Sequence, residues 1–202
     1  MKKQLFLILI SIAFIHSSTR VWAGYGMSTA SFEDEPEGVD ISYSGALNFG
    51  VESANANGGI MGIEYVTRGF LIEADYGFAS LEQEAMAHYL GAYYLQSLSQ
   101  SNVPGATSLL LGGSIGYFME AEQTTTASYG GDSYSYDETF DGDDWDEQGG
   151  EMVDVGVLVG AAYNVNPQLS VRATYYYGLT EPNEDFITNF STINVAAVYA
   201  IN

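Results

Sequence analysis

The sequence predicts an all-β fold, an eight-stranded antiparallel transmembrane β-barrel, and three observations carry the prediction. Apolar residues recur with period 2 over runs of about ten residues, clearest from Met152 to Leu179, which is the length a bilayer-crossing strand needs. The face opposite the apolar one is mostly Gly, Ala, Ser and Asn rather than the Lys and Glu of a solvated strand, so it reads as a crowded lumen. Tight turns alternate with long polar connections, the pattern of short periplasmic turns and long external loops.

The elements follow in order. Residues 1–23 read as a signal peptide: Lys2 and Lys3 precede an apolar core from Leu5 to Ile15, and Val21-Trp22-Ala23 ends in a small residue suited to cleavage. Arg20 is unusual so near a cut. Residues 24–38, with Glu33, Asp34, Glu35, Pro36 and Glu37, read as a flexible periplasmic leader. The barrel is expected over 39–202. Its first strand places Val39, Ile41, Tyr43, Leu47, Phe49 and Val51 opposite Asp40, Ser42, Asn48 and Glu52. A short second strand, Ile60 to Thr67, has Met61, Ile63 and Tyr65 on its apolar face. Thr67-Arg68-Gly69 then makes a tight turn into a third strand, Phe70 to Ala79. A fourth run, His88 to Gln96, alternates weakly because Tyr93, Tyr94 and Leu95 are adjacent. The fifth, Leu109 to Glu120, exposes Leu109, Leu111, Ile115, Tyr117 and Met119 on one side. The sixth and seventh form the hairpin Val153 to Leu179 around Asn166-Pro167-Gln168, and the eighth runs from Thr192 to Asn202. Tyr65, Phe70, Phe78, Tyr117, Tyr163, Tyr177 and Tyr199 near strand ends are expected to form interfacial girdles.

Composition excludes several functions. With cleavage after Ala23, Arg68 and Arg172 are the only cations facing 26 carboxylates, a charge of −24. Nucleic acid is then no partner, because a polyanion requires a basic surface. The absence of cysteine excludes disulfides, thiolate metal sites and a lipidated N-terminal cysteine.

The runs Leu111-Gly112-Gly113-Ser114-Ile115-Gly116-Tyr117, Val153 to Tyr163, Leu169 to Thr180 and Ile193 to Ile201 resemble the outer-membrane β-barrel domains of the porin-like family common in Bacteroidetes. More loosely, they resemble the small eight-stranded barrels of enterobacteria. The resemblance covers about half the chain after the leader. It implies an integral outer-membrane protein inserted by the barrel-assembly machinery, and no catalytic residues. One departure is the ending Tyr199-Ala200-Ile201-Asn202, where such chains often end in an aromatic assembly signal.

Candidate sites are few. Alternation points Arg172 into the lumen with Glu64, Glu73 and Asp75, a charge network filling the barrel or, alternatively, gating a narrow pore. The acidic connection at about 121–151 carries Asp141, Asp143, Asp144, Asp146 and Glu147, oxygen ligands suited to Ca²⁺ or Mg²⁺. Their spacing does not reproduce a calcium-binding helix-loop-helix, so a solvated loop is the plainer expectation, with cation bridges to lipopolysaccharide as the other. His88, the sole histidine after the leader, could be written with Ser80 and Glu82 or Glu84 as a hydrolytic site, but no Gly-x-Ser-x-Gly turn supports it. The expected function is a structural or surface-interaction barrel, monomeric and without catalysis or resident cofactor; the alternatives are a narrow cation-favouring pore and an exported soluble barrel binding an apolar ligand.

Overall fold

A computed structural model describes residues 18–32, 38–99, 103–147, 149–182 and 187–201. Lys2, Lys3, the apolar core and Glu33 to Glu37 lie outside the described residues. Ten strands and one short helix follow one another: β1 (Ser18–Phe32), β2 (Val39–Ser42), β3 (Ser44–Ala54), β4 (Gly59–Asp75), β5 (Ala79–Ser97), β6 (Thr107–Tyr129), β7 (Asp132–Phe140), α1 (Gly142–Glu147), β8 (Val153–Asn164), β9 (Leu169–Gly178) and β10 (Ile187–Ile201).

Eight of these strands close a ring. β1 pairs with β10 and β3, and the antiparallel ladder continues through β4, β5, β6, β8 and β9 back to β10. Closure leaves no edge in the barrel wall. The expected strand count holds, but its composition differs in two places. Ser18–Phe32, expected as the end of the signal peptide and the start of a periplasmic leader, is the strand that closes the ring. Thr67-Arg68-Gly69, expected as a turn between two strands, lies inside one continuous strand, β4.

The physical reason for the second difference is an inversion of amphipathicity along the strand. In the lower part of β4, Met61 faces outward at 45% exposure, while Phe70 and Ala74 higher up are buried inside and Glu73 and Asp75 are exposed. A strand crossing lipid turns its apolar side outward; where it emerges into water, the apolar side must turn inward. Phe70 accordingly packs edge-on against Phe32 of β1 at 5.1 Å and joins a core that includes Ile187 and Phe190. The same change occurs on β10, where Ile193, Val195, Tyr199 and Ile201 face outward but Ile187 and Phe190 face inward.

The outward band is continuous around the ring and includes Leu47 (73% exposed), Leu109, Ile115, Val159 and Val195. Such an area of apolar surface does not persist in water. From Ile193 to Ile201, about 3.4 Å per residue and a tilt of about 40° give a band about 21 Å tall, against about 25 Å for outer-membrane barrels. The apolar faces therefore meet lipid, and the soluble barrel with an apolar cavity is overturned. Tyr25, Tyr117 and Tyr177 lie toward one rim of the band, with Tyr94, Tyr163 and Tyr199 toward the other. Phe70 and Phe78 belong to neither girdle: Phe70 is internal, and Phe78 stands in the β4–β5 turn.

Connections at one end are compact, including Asn55 to Gly58 and the turn Val165 to Gln168. At the opposite end, β6 runs on to Tyr129 and β7 folds back along it from Asp132 to Phe140. By the rule of short periplasmic turns, this second end is external. The acidic connection, expected as a solvated loop, is thus largely a hairpin followed by α1.

Candidate functional site

Alternation brings a polar interior out of strands that look merely small and spaced. Glycines clear room for large side chains from neighbouring strands: a Cβ at Gly62 would run into the Tyr93 ring, and one at Gly156 into the Tyr176 ring. Two charged layers fill the space so created.

The layer nearer the periplasmic end centres on Glu52 of β3, which is fully buried. Its Oε2 accepts hydrogen bonds from Arg172 Nη1 of β9 at 2.6 Å and from Tyr93 OH of β5 at 2.5 Å. Arg20 Nη1 of β1 stands 3.7 Å from Oε1. The Arg172 guanidinium lies 5.2 Å from the Trp22 ring centroid and 5.6 Å from that of Tyr93. Aromatic faces are thus placed where a cation removed from water gains most from them.

The outer layer is built on Arg68, expected in a turn and found in the lumen. Its Nη1 is 2.9 Å from Asp154 Oδ2 of β8, and its guanidinium sits 3.9 Å from the Tyr176 ring centroid and 5.1 Å from that of Tyr89. Asp154 Oδ1 accepts from Tyr176 OH at 2.7 Å and from Thr180 Oγ1 at 2.9 Å. Arg172 and Arg68 each reach a carboxylate three strands away around the ring, so both ties cross the interior.

Of the residues expected around Arg172, Glu64 faces the lumen between the two layers, with Arg68 and Arg172 as its charged neighbours. Glu73 and Asp75 do not join it. They are exposed on the outer face of the emergent part of β4, where Asp75 Oδ1 accepts from its own turn at Gly77 N. A turn at Thr67-Arg68-Gly69 would set Glu73 and Asp75 toward the lumen, whereas the unbroken β4 turns them outward and leaves Arg172 to Glu52 of β3. Glu52 already stood on the polar face of its strand; only its neighbour across the barrel was missing from the sequence reading. A cavity of about 30 Å³ beside Asn48, Glu64, Thr174 and Asn194 has the volume of about one water molecule.

The external end carries the other candidates. Asp141 caps α1, its Oδ1 accepting from the backbone N–H of Asp143 at 2.9 Å and of Asp144 at 3.1 Å. Asp143 and Asp144 occupy the first turn, where the helix dipole favours anions. No three of Asp141, Asp143, Asp144, Asp146 and Glu147 converge as a ligand group among the described residues. Trp145 of α1 stacks on Phe118 at 4.9 Å with 9° between planes, and its Nε1 donates to Glu151 O at 3.2 Å. The helix is thereby seated on the barrel mouth.

His88 is spoken for by packing. Its Nδ1 is 2.9 Å from Thr67 Oγ1, its ring stacks on Tyr65, and its Nε2 is 4.0 Å from Glu122. Ser80 lies eight residues along the same extended strand, about 26 Å away at about 3.3 Å per residue. A hydrolytic trio of Ser80, His88 and Glu82 or Glu84 is therefore not assembled. Above the band, Asp40, Glu73 and Glu82 are consecutive cross-strand partners on the outer face.

No family model matches the chain, and no curated protein matches its sequence. Several solved structures align with most of the chain at low identity. The attachment invasion locus protein Ail of Yersinia pestis is 12% identical, with 93% of this chain and 100% of that one covered and a TM-score of 0.49. Neisserial surface protein A is 12% identical over 91% and 97% of the two chains, with a TM-score of 0.47. OprG of Pseudomonas aeruginosa, an outer membrane protein, is 12% identical over 92% and 94%, with a TM-score of 0.36. Its own ring of eight antiparallel strands and its outward apolar band make the chain an outer-membrane-type β-barrel.

Proposed function

We propose that this barrel is a membrane anchor for a surface-interaction platform and catalyses nothing. The observation that carries the reading is the continuation of β6 and β7 beyond the lipid band as a hairpin with a solvent-facing tip. Tyr129, Tyr134 and Tyr136 are 65%, 71% and 61% exposed there, beside Tyr76 and Phe78 of the neighbouring turn. Exposed tyrosines supply contact area at small entropic cost, and the surrounding carboxylates favour a cationic partner. Outer-leaflet lipopolysaccharide is the neighbour of the acidic face that holds Asp40, Glu73 and Glu82, and the barrel-assembly machinery is the route of insertion. A single barrel is the functional unit, since its ladder closes on itself.

The two luminal layers argue for anchor over pore. Interiors of eight-stranded barrels are just wide enough for side chains to fill.

The test compares cells carrying the full protein with cells in which Glu122 to Thr139 is replaced by a two-residue turn. Attachment to polylysine-coated glass is expected to fall with the trimmed protein while heat-modifiable gel mobility stays. Undiminished attachment, or steady single-channel currents from the purified full protein, would overturn the reading.

A further inference from the structure

We propose that the export leader is removed N-terminal to Thr19, by hydrolysis of one peptide bond with Ser17 or Ser18 supplying the small residue before the cut. The site Val21-Trp22-Ala23 is then passed over. The inference rests on reading Lys2 to Ile15 as an export leader and goes beyond the role proposed for the surface.

The first argument is the barrel wall. Six consecutive residues ahead of Gly24 are laddered to β3, from Ser18 opposite Ala54 to Ala23 opposite Phe49. On the other side Thr19 to Ala23 pair with Ile201 to Ala197. Phe49 and Ile201 are 55% and 51% exposed and belong to the lipid-facing band. A cut after Ala23 would delete the first six residues of β1 and leave Phe49 to Ala54 and Ala197 to Ile201 without the strand between them. Unpaired backbone groups have no water to turn to there.

The interior supplies the second argument. Trp22 is 4% exposed, sits edge-on to Tyr93 at 6.3 Å and lies beneath Arg172. Across the ladder stands Gly50, whose missing Cβ leaves the space for the indole; an added Cβ would come 2.6 Å from Trp22 Nε1. Arg20 is a third luminal-side cation beside Glu52. Residues so fitted to the barrel belong to the mature protein and not to a discarded leader.

Ahead of Thr19 the sequence supplies the small residue that a leader peptidase takes immediately before the cut. The apolar core ends at Ile15, and Ser17 and Ser18 are small. Cleavage there leaves Arg20, Arg68 and Arg172 against 26 carboxylates, a charge of −23 rather than −24, and two tryptophans, Trp22 and Trp145.

N-terminal sequencing and intact mass of the folded, heat-modifiable protein extracted from outer membranes read the cut directly. Ser18 or Thr19 is the expected first residue. A folded protein that starts at Gly24 or retains Met1 overturns the proposal. Processing variants give a second reading. Ala23→Leu places a larger residue on the lipid-facing side of β1, and precursor should not accumulate; Ser17→Leu combined with Ser18→Leu should make it accumulate. The reverse pattern also overturns the proposal.

Discussion

Replacing Arg172 by alanine would leave Glu52 as a buried carboxylate without its nearest cation. At 2.6 Å and an effective dielectric constant of about 20, the pair attraction is about 6 kcal/mol before the cost of desolvating both groups. Removing one member of a buried pair typically costs about 3–5 kcal/mol, because the remaining charge is stranded. Tyr93 still donates to Glu52, and Arg20 stands 3.7 Å from its other oxygen, so the lower end of the range applies, about 3 kcal/mol. The double variant Glu52→Gln with Arg172→Met removes both charges and should recover most of the loss. The assay is equilibrium urea unfolding of the refolded protein in lipid vesicles, read by tryptophan emission and by heat-modifiable gel mobility. A loss under about 1 kcal/mol for Arg172→Ala, well below the usual range for a broken buried pair, would refute the account. So would a double variant no more stable than Arg172→Ala alone. Single-channel recording on the same variant should show no new current, because the layer of Arg68, Asp154 and Tyr176 still fills the interior.

Other outcomes follow from the same geometry. Ala197→Arg, on the lipid face near the middle of the band, should destabilise the barrel by about 2–4 kcal/mol, and Ile201→Arg near the rim by about 0–1 kcal/mol; equal costs in urea titration would misplace the band. Gly156→Ala should cost about 1–3 kcal/mol because its new methyl group overlaps the Tyr176 ring and the Tyr177 carbonyl oxygen; a stability unchanged by denaturant titration would show the lumen to be loosely filled. Calcium added to millimolar levels should leave the emission of Trp145 unchanged in a Trp22→Phe background, since Asp141 is engaged as a helix cap and no three carboxylates of α1 converge. A saturable change would establish a site there.

Much of the wall was legible from the period-2 pattern. β8 and β9 run close to the expected limits, with the turn Asn166-Pro167-Gln168 between them, because both lie almost wholly in lipid and keep one apolar side throughout. The continuity of β4 is hidden in the sequence because the strand crosses the water boundary, where its apolar side changes from outward to inward. β1 is hidden in the sequence because Val21-Trp22-Ala23 has the local form of a cleavage site and Gly24 to Ser31 is rich in small residues. The charged interior was half legible: Arg172 and Glu64 face inward as alternation requires, but Arg68 was hidden by the supposed turn and Asp154 had no visible partner.

Alternation in the sequence by itself determined amphipathic extended segments within seven of the eight wall strands, because side chains of an extended chain point to opposite faces by covalent geometry. It also determined that the chain would be acidic, free of cysteine and poor in cations. Only the tertiary structure decided which strand closes the ring, where the strands leave the lipid, and which carboxylate each arginine meets. Those are matters of partners three strands apart around a ring, such as Glu52 with Arg172 and Arg68 with Asp154, and no local pattern encodes a distance measured across the barrel.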